Sequence, residues 1–224
     1  DHVDGGDGVD TLSYSDLDVD DLTELNNISN IEIIRPNDFT TKIIAPDRLL
    51  NDASTLTIDG SLITQPNFLD FDATAEVAGN YIIEGSTGDD ILKTGGGNDN
   101  INGNDGDDLI HTGTGIDVVT AGSGDDSINL GTDLTLDDRV DGGTGTDTLI
   151  FQGNLNSTSA LDQVTNVEVI TLLASSTTLV LKDTVVQTGA NLNIDASSFE
   201  FGQLMTLDAT AETDGHISLT SGLG

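Results

Sequence analysis

A single aliphatic residue recurs at every ninth position through the middle of the chain: Leu92, Ile101, Ile110, Val119 and Ile128. Its neighbours on either side are of mixed character. The spacing predicts short strands of three residues, each with one side chain turned inward and two turned out. Six glycine-rich residues precede each strand, giving the phrases GSTGDDILK, TGGGNDNIN, GNDGDDLIH, TGTGIDVVT and AGSGDDSIN, which begin at Gly85, Thr94, Gly103, Thr112 and Ala121. Position four is always Gly (Gly88, Gly97, Gly106, Gly115, Gly124) and position six always Asp (Asp90, Asp99, Asp108, Asp117, Asp126). One strand cannot bury its lone aliphatic residue, so copies must stack. Two phrases then make one coil and alternate phrases lie above one another. That register sets Asp90 against Asp108, Asp99 against Asp117, and Asp108 against Asp126.

Outside this block, apolar and polar residues alternate in short runs bounded by Asn, Asp, Ser, Thr or Gly. Strands are predicted over 31–34, 56–58, 167–173, 179–181, 192–194 and 217–219. Residues 17–28 (LDVDDLTELNNI) carry Leu17, Leu25 and Ile28 at helical spacing and are read as a short helix. The flanks also repeat one another. DHVDGGDGVDTLS at 1–13 returns as DRVDGGTGTDTLI at 138–150, offset by 137. Ser29-Asn30-Ile31-Glu32-Ile33-Ile34 returns as Thr165-Asn166-Val167-Glu168-Val169-Ile170, and Asp72-Ala73-Thr74-Ala75-Glu76 returns unchanged at Asp208–Glu212, both offset by 136. The chain is roughly one and two-thirds units of a tandem array. We divide it into a flanking β segment at 1–84 with an isolated phrase at 5–13, a roll at 85–150 with a loop at 130–141, and a second flanking segment at 151–224. The chain begins inside a motif and is read as a piece of a longer protein. The repeat register predicts nonapeptide blocks before Asp1 and after Gly224.

Charge narrows the chemistry. Forty Asp and Glu face six Lys and Arg, for a net charge of −34. Phosphate backbones need the opposite sign, so nucleic acid is not an expected partner. Such a chain attracts cations and repels itself until they bind. Cysteine is absent, which removes disulfides and thiolate metal sites. Tryptophan is absent and aromatics are few, which suits thin coils. No run approaches the roughly 20 apolar residues of a membrane span. The three histidines, His2, His111 and His216, stand far apart without an H-E-x-x-H, and no G-x-S-x-G occurs. Catalysis is therefore not expected.

The tandem phrases resemble the G-G-x-G-x-D-x-U-x repeats of RTX proteins, and the strict match covers about a fifth of the chain. The resemblance implies an all-β fold, a right-handed parallel β-roll. It implies several Ca2+ ions held between stacked turns by backbone carbonyls and the position-six carboxylates, since hard oxygen ligands suit calcium. Asp90, Asp99, Asp108, Asp117 and Asp126 are the expected metal residues, with Gly88, Gly97, Gly106, Gly115 and Gly124 shaping the turns. Asp147 and Asp10, at position six of isolated phrases, need partners from neighbouring coils. Every copy departs from the motif at position one or two (Ser86, Thr94, Asn104, Thr112, Ala121), sites expected to supply mainly backbone. Position-five Asp89, Asp107 and Asp125 are expected to face solvent. Asp133, Asp137, Asp138 and Asp141 of the 130–141 loop either cap the roll, complete another site or are solvated. The alternative for the block is a flexible Asp/Gly linker.

The flanks resemble linker coils of RTX-type surface-layer proteins and adhesins, which continue the solenoid with wider coils; β-sandwich flanks are the alternative. An outward Ile91–Leu109 ladder is expected to pack on a flank or a neighbouring molecule, or else to be tolerated surface. The resemblance implies an extracellular, calcium-dependent structural module, secreted by a type I system and rigid only outside the cell. Its partners would be calcium, copies of itself or cell-surface glycans. The rivals are a glycan- or cell-binding adhesion module and the secretion tail of an exoenzyme.

Overall fold

The computed structural model describes residues 2–14, 27–46, 49–50, 54–152, 161–173, 177–182, 185, 189–213 and 215–222. Their regular elements are all strands. The first twelve are β1 (Val3–Asp4), β2 (Thr11–Tyr14), β3 (Ile28–Ser29), β4 (Ile33–Pro36), β5 (Thr41–Ile44), β6 (Thr55–Asp59), β7 (Leu69–Asp72), β8 (Asn80–Glu84), β9 (Ile91–Lys93), β10 (Asn100–Asp105), β11 (Leu109–His111) and β12 (Val118–Ser123). The rest are β13 (Ser127–Asn129), β14 (Arg139–Thr144), β15 (Thr148–Gln152), β16 (Val164–Thr165), β17 (Val169–Leu173), β18 (Thr177–Lys182), β19 (Asn191–Ala196), β20 (Met205–Ala211) and β21 (His216–Ser221).

These strands wind a parallel β-solenoid. Even-numbered strands from β2 to β16 stack into an eight-stranded sheet, and odd-numbered strands from β5 to β21 into a nine-stranded sheet. β1 with β3, and β18 with β20, make two short sheets. The same pair of large sheets runs through the nonapeptide block and both flanks, so the flanks continue the solenoid and are not sandwiches. Alternate phrases stack as their period requires: Ile110 lies between Leu92 and Ile128, and Ile101 beside Val119. Coil length then sets the taper. Stacked residues are 18 apart in the block, 21 apart where it ends, and 22 to 28 apart in the flanks.

The core is one inward column per sheet. Phe71, Leu92, Ile110, Ile128, Leu149 and Ile170 line the nine-stranded sheet, with Ile58, Ile83, Ile101, Val119 and Val140 opposite, each at most 1% exposed. Burying each such aliphatic side chain contributes roughly 1.5–3 kcal/mol. Wider flank coils need bulkier filling, and Phe71 meets Tyr81 there edge to face with ring centroids 5.2 Å apart.

Several details differ from the sequence expectation. The three-residue strand holds for β9, β11 and β13, but β10, β12 and β14 run on for six residues into the next phrase. Strands β5 and β7 fall where no strand is expected. In β7, Leu69 and Phe71 point inward, while Asp70 and Asp72 point outward beside Lys42 and Lys93; aspartate is a poor strand former and hides the alternation. The helix expected at 17–28 lies outside the described residues except for its last two, and Ile28 there begins β3. Among the described residues no flank covers the Ile91–Leu109 ladder: the two residues pair on neighbouring strands, and Leu109 stays 42% exposed.

The long repeat has a geometric consequence. β2, β4, β6 and β8 lie in the eight-stranded sheet, whereas their counterparts one repeat later, β15, β17, β19 and β21, lie in the nine-stranded sheet. Successive units are thus related by a half turn about the solenoid axis as well as a translation along it.

Candidate metal centre

The position-six aspartates form two columns, one at each turn edge. Each carboxylate after the first in its column accepts a hydrogen bond from the backbone N–H of the column member one coil earlier. In the first column Asp90 N–H donates to Asp108, Asp108 to Asp126, and Asp126 to Asp147, at 2.8–2.9 Å. In the second, Asp99 N–H donates to Asp117 and Asp117 to Asp138, at 2.9 and 2.8 Å. Every one of these carboxylates is at most 3% exposed. The solvent has been removed from both columns, and what replaces it differs along each.

At Asp90 and Asp138, protein groups satisfy the carboxylates. Asp90 receives Leu69 N–H, Ser86 N–H and the Ser86 hydroxyl at 2.6–2.7 Å. Asp138 receives Thr135 N–H and the Thr135 hydroxyl on its second oxygen. Of the loop's four acids, Asp138 therefore caps its column, Asp133 accepts Gly115 N–H, Asp141 accepts the Asn166 amide, and Asp137 is exposed. Elsewhere in the columns, Oδ2 of Asp99, Asp108, Asp126 and Asp147 is buried without a partner, and so is Oδ2 of Asp10. A buried, unpaired carboxylate oxygen is costly, and a cation removes the cost.

The surroundings of these oxygens suit a hard cation. An added Cβ on Gly103 would sit 2.1 Å from Asp108 Oδ2 and 2.3 Å from the Ala121 carbonyl oxygen, so carboxylate and carbonyl converge there. The β10–β12 ladder passes from Asn102–Thr120 to Asn104–Gly122 and leaves Gly103 and Ala121 outside it. Among the described residues no group of three or more His, Asp and Glu could hold a metal by side chains alone. Backbone oxygen must therefore supply part of any site, as calcium permits.

The position-four glycines shape the turn. Gly97, Gly106, Gly115 and Gly124 have φ between +122° and +140°; Gly88 does not share the positive φ. Stacked turns approach one another closely here, and a Cβ on Gly115 would lie 1.6 Å from the Gly97 carbonyl oxygen.

Burial pushes the aspartates toward the protonated form. Burial, opposed by the Asp90 N–H and reinforced by the carboxylates of Asp90 and Asp126, raises Asp108 to about 8. Burial raises Asp99 to about 7, and Asp117 and Asp147 to about 6. Asp90 and Asp126 move upward for the same reason. An unfolded aspartate titrates at about 3.9, so between about 4 and 8 the metal-free fold holds more protons than the unfolded chain. Its stability is then fully present at and below about pH 4 and is lost as pH rises through 6 to 8. Calcium needs the ionised form, so its affinity rises over the same window. Thermal melts in chelator are expected to show a midpoint that falls as pH rises from 4.5, with the cooperative transition lost by neutral pH. A midpoint rising with pH would contradict the buried-carboxylate picture.

Some residues do more than the sequence suggests. The departures at positions one and two are not merely backbone: the Ser86 hydroxyl closes Asp90, the Thr94 hydroxyl donates to the Thr112 carbonyl, and Asn104 takes φ +77° while donating to the Gly85 carbonyl. Exposed Asp89, Asp107 and Asp125 form a ladder of opposite sense, each accepting the N–H of the next coil. Glu32 and Glu168, used in the sequence only as repeat markers, accept the N–H groups of Asp10 and Asp147. Asp10 therefore has its stacking partner in the following coil. The recurrence of N-[IV]-E one repeat apart was the signal that could have found them.

The family model of the RTX calcium-binding nonapeptide repeat (4 copies) matches residues 78–110, 102–133 and 137–150. No curated protein and no solved structure matches the chain significantly.

Proposed function

Because residues 78–133 and 137–150 belong to the RTX calcium-binding nonapeptide repeats, we propose that the chain is a calcium-folded structural module of a repetitive surface-layer or adhesin protein. In this reading it leaves the cell through a type I system and becomes rigid only outside. Asp99, Asp108, Asp117 and Asp126 carry the calcium of the roll, Asp147 and Asp10 that of the isolated phrases, and Asp90 closes the first coil. Gly88, Gly97, Gly106, Gly115 and Gly124 let the turns stack closely enough for carbonyls to join them. The observation that carries the reading is the run of buried, unpaired Oδ2 atoms along stacked coils: such columns are uncomfortable empty and comfortable loaded. Extracellular calcium modules bind with roughly 10⁻⁴–10⁻³ M affinity, so the same acidic chain is loose where calcium is scarce and stiff where it is abundant. The long repeat adds a reason to favour a stalk or lattice element, because a continuous solenoid extends unit by unit along one axis.

Small-angle scattering tests the reading. An unfolded chain of this length has a radius of gyration of about 50 Å and a compact one about 17 Å. The value is expected to fall from near the first toward the second on adding millimolar calcium, and not on adding magnesium. A compact chain in chelator at neutral pH would overturn the proposal.

A further inference from the structure

Each isolated phrase is succeeded one coil later by a [ST]-N-[IV]-E segment, and that segment takes the place of a second nonapeptide. In the roll, the N–H of a position-six aspartate is received by the next aspartate. At the phrase of Asp147 it is received by Glu168 Oε2 at 2.8 Å, and at the phrase of Asp10 by Glu32 Oε2 at 2.9 Å. The carbonyl is replaced as well. A Cβ on Gly142 would meet the Asn166 carbonyl oxygen at 1.9 Å and Asp147 Oδ2 at 2.8 Å, and one on Gly5 would meet the Asn30 carbonyl oxygen at 2.0 Å. Those are the relations that Ala121 and Asp108 have to Gly103 inside the block.

Three residues can do the work of six because the asparagine is left-handed: Asn30 and Asn166 both have φ +53°. Their amides donate to Asp4 and Asp141 at 2.7 and 2.6 Å, which holds each turn so that its carbonyl faces the aspartate. Asp147 is fully buried and its Oδ2 has no partner. An unpaired buried oxygen, a convergent carbonyl and a second carboxylate therefore meet at one place, outside the five-phrase block.

We propose that the [ST]-N-[IV]-E turn closes a terminal calcium site on a lone nonapeptide phrase, built from Asp147, the Asn166 carbonyl and Glu168, with a second copy from Asp10, the Asn30 carbonyl and Glu32. The proposal rests on the calcium reading of the phrases and adds two sites whose closing residues are not nonapeptide residues. It also gives the long repeat a function, since each unit carries its own closing turn.

Glu32→Gln with Glu168→Gln tests it, because glutamine keeps the acceptor for the aspartate N–H and removes the charge. Native mass spectrometry of the full chain in calcium is expected to count two ions fewer in the double variant than in the wild type, with calorimetry showing at least a roughly tenfold loss at the affected sites. An unchanged count with unchanged affinities overturns this inference alone, whereas a wild type without calcium overturns the calcium reading too. Should the variant not fold, wild-type crystals soaked in terbium decide. An anomalous peak in contact with Asp147 Oδ2 and the Asn166 carbonyl supports the site, and its absence overturns it.

Discussion

Asp108→Asn is expected to shift stability in opposite directions with and without calcium. Asp108 sits in the middle of the first column, its Oδ1 receiving Asp90 N–H at 2.8 Å and its Oδ2 buried without a partner. Asparagine keeps the first bond and replaces the second oxygen with a donor close to the Ala121 carbonyl, so the metal-free fold no longer buries an unpaired acceptor. The gain should be on the order of 1–3 kcal/mol and largest above pH 8, where the carboxyl raised to about 8 would have to ionise. With calcium the sign reverses. A variant lacking one ion at about 100 times its dissociation constant loses about 2.7 kcal/mol of linked stability. In chelator the variant should therefore keep a cooperative melt to a higher pH than the wild type, whereas in millimolar calcium at pH 8.5 it should melt below the wild type. Shifts of the same sign in both would mean that the column is not a cation site.

Gly115→Ala is expected to cost on the order of 4 kcal/mol in calcium. Its φ of +140° carries roughly 1–3 kcal/mol of strain for a residue with a Cβ. The 1.6 Å approach to the Gly97 carbonyl adds overpacking of roughly 1–3 kcal/mol, because backbone on both sides prevents the neighbour from yielding. Gly131→Ala separates the two causes: its φ is +56° and nothing lies within 4 Å of the added carbon, so about 1 kcal/mol should suffice. Urea unfolding of both, beside Thr120→Ala on the exposed face, reads the difference. Equal losses at Gly115 and Gly131 would contradict the close stacking of turns.

The stacking order was legible because three columns repeat without a gap. Once Leu92 and Ile110 must bury against each other, Asp90 and Asp108 can only lie in register. The same logic reached the isolated phrases of Asp10 and Asp147 but not their partners in the next coil, since the sequence between phrase and partner has no period from which to count. Glu32 stands 22 residues from Asp10, and Glu168 stands 21 from Asp147; neither spacing matches the 18 of the block. Ser86 was hidden for another reason. Its departure from the motif was expected to supply mainly backbone, whereas its hydroxyl as well as its N–H satisfies Asp90 and makes that residue a cap. The position-five ladder was invisible because Asp89, Asp107 and Asp125 are exposed, as expected, and only the cross-coil geometry shows that exposure and hydrogen bonding coexist. In β5, Thr41 fills an inward position, fully buried, so a polar letter concealed a strand.

Far-UV circular dichroism during a calcium titration at neutral pH, with magnesium as control, tests the central claim most directly. The account predicts a cooperative gain of β signal with calcium and none with magnesium at equal concentration. The buried, unpaired aspartate oxygens make the metal-free roll costly at that pH, and only a cation that tolerates an irregular cage of carboxylate and carbonyl oxygen relieves them. A full β spectrum in chelator, unchanged by calcium, would contradict it.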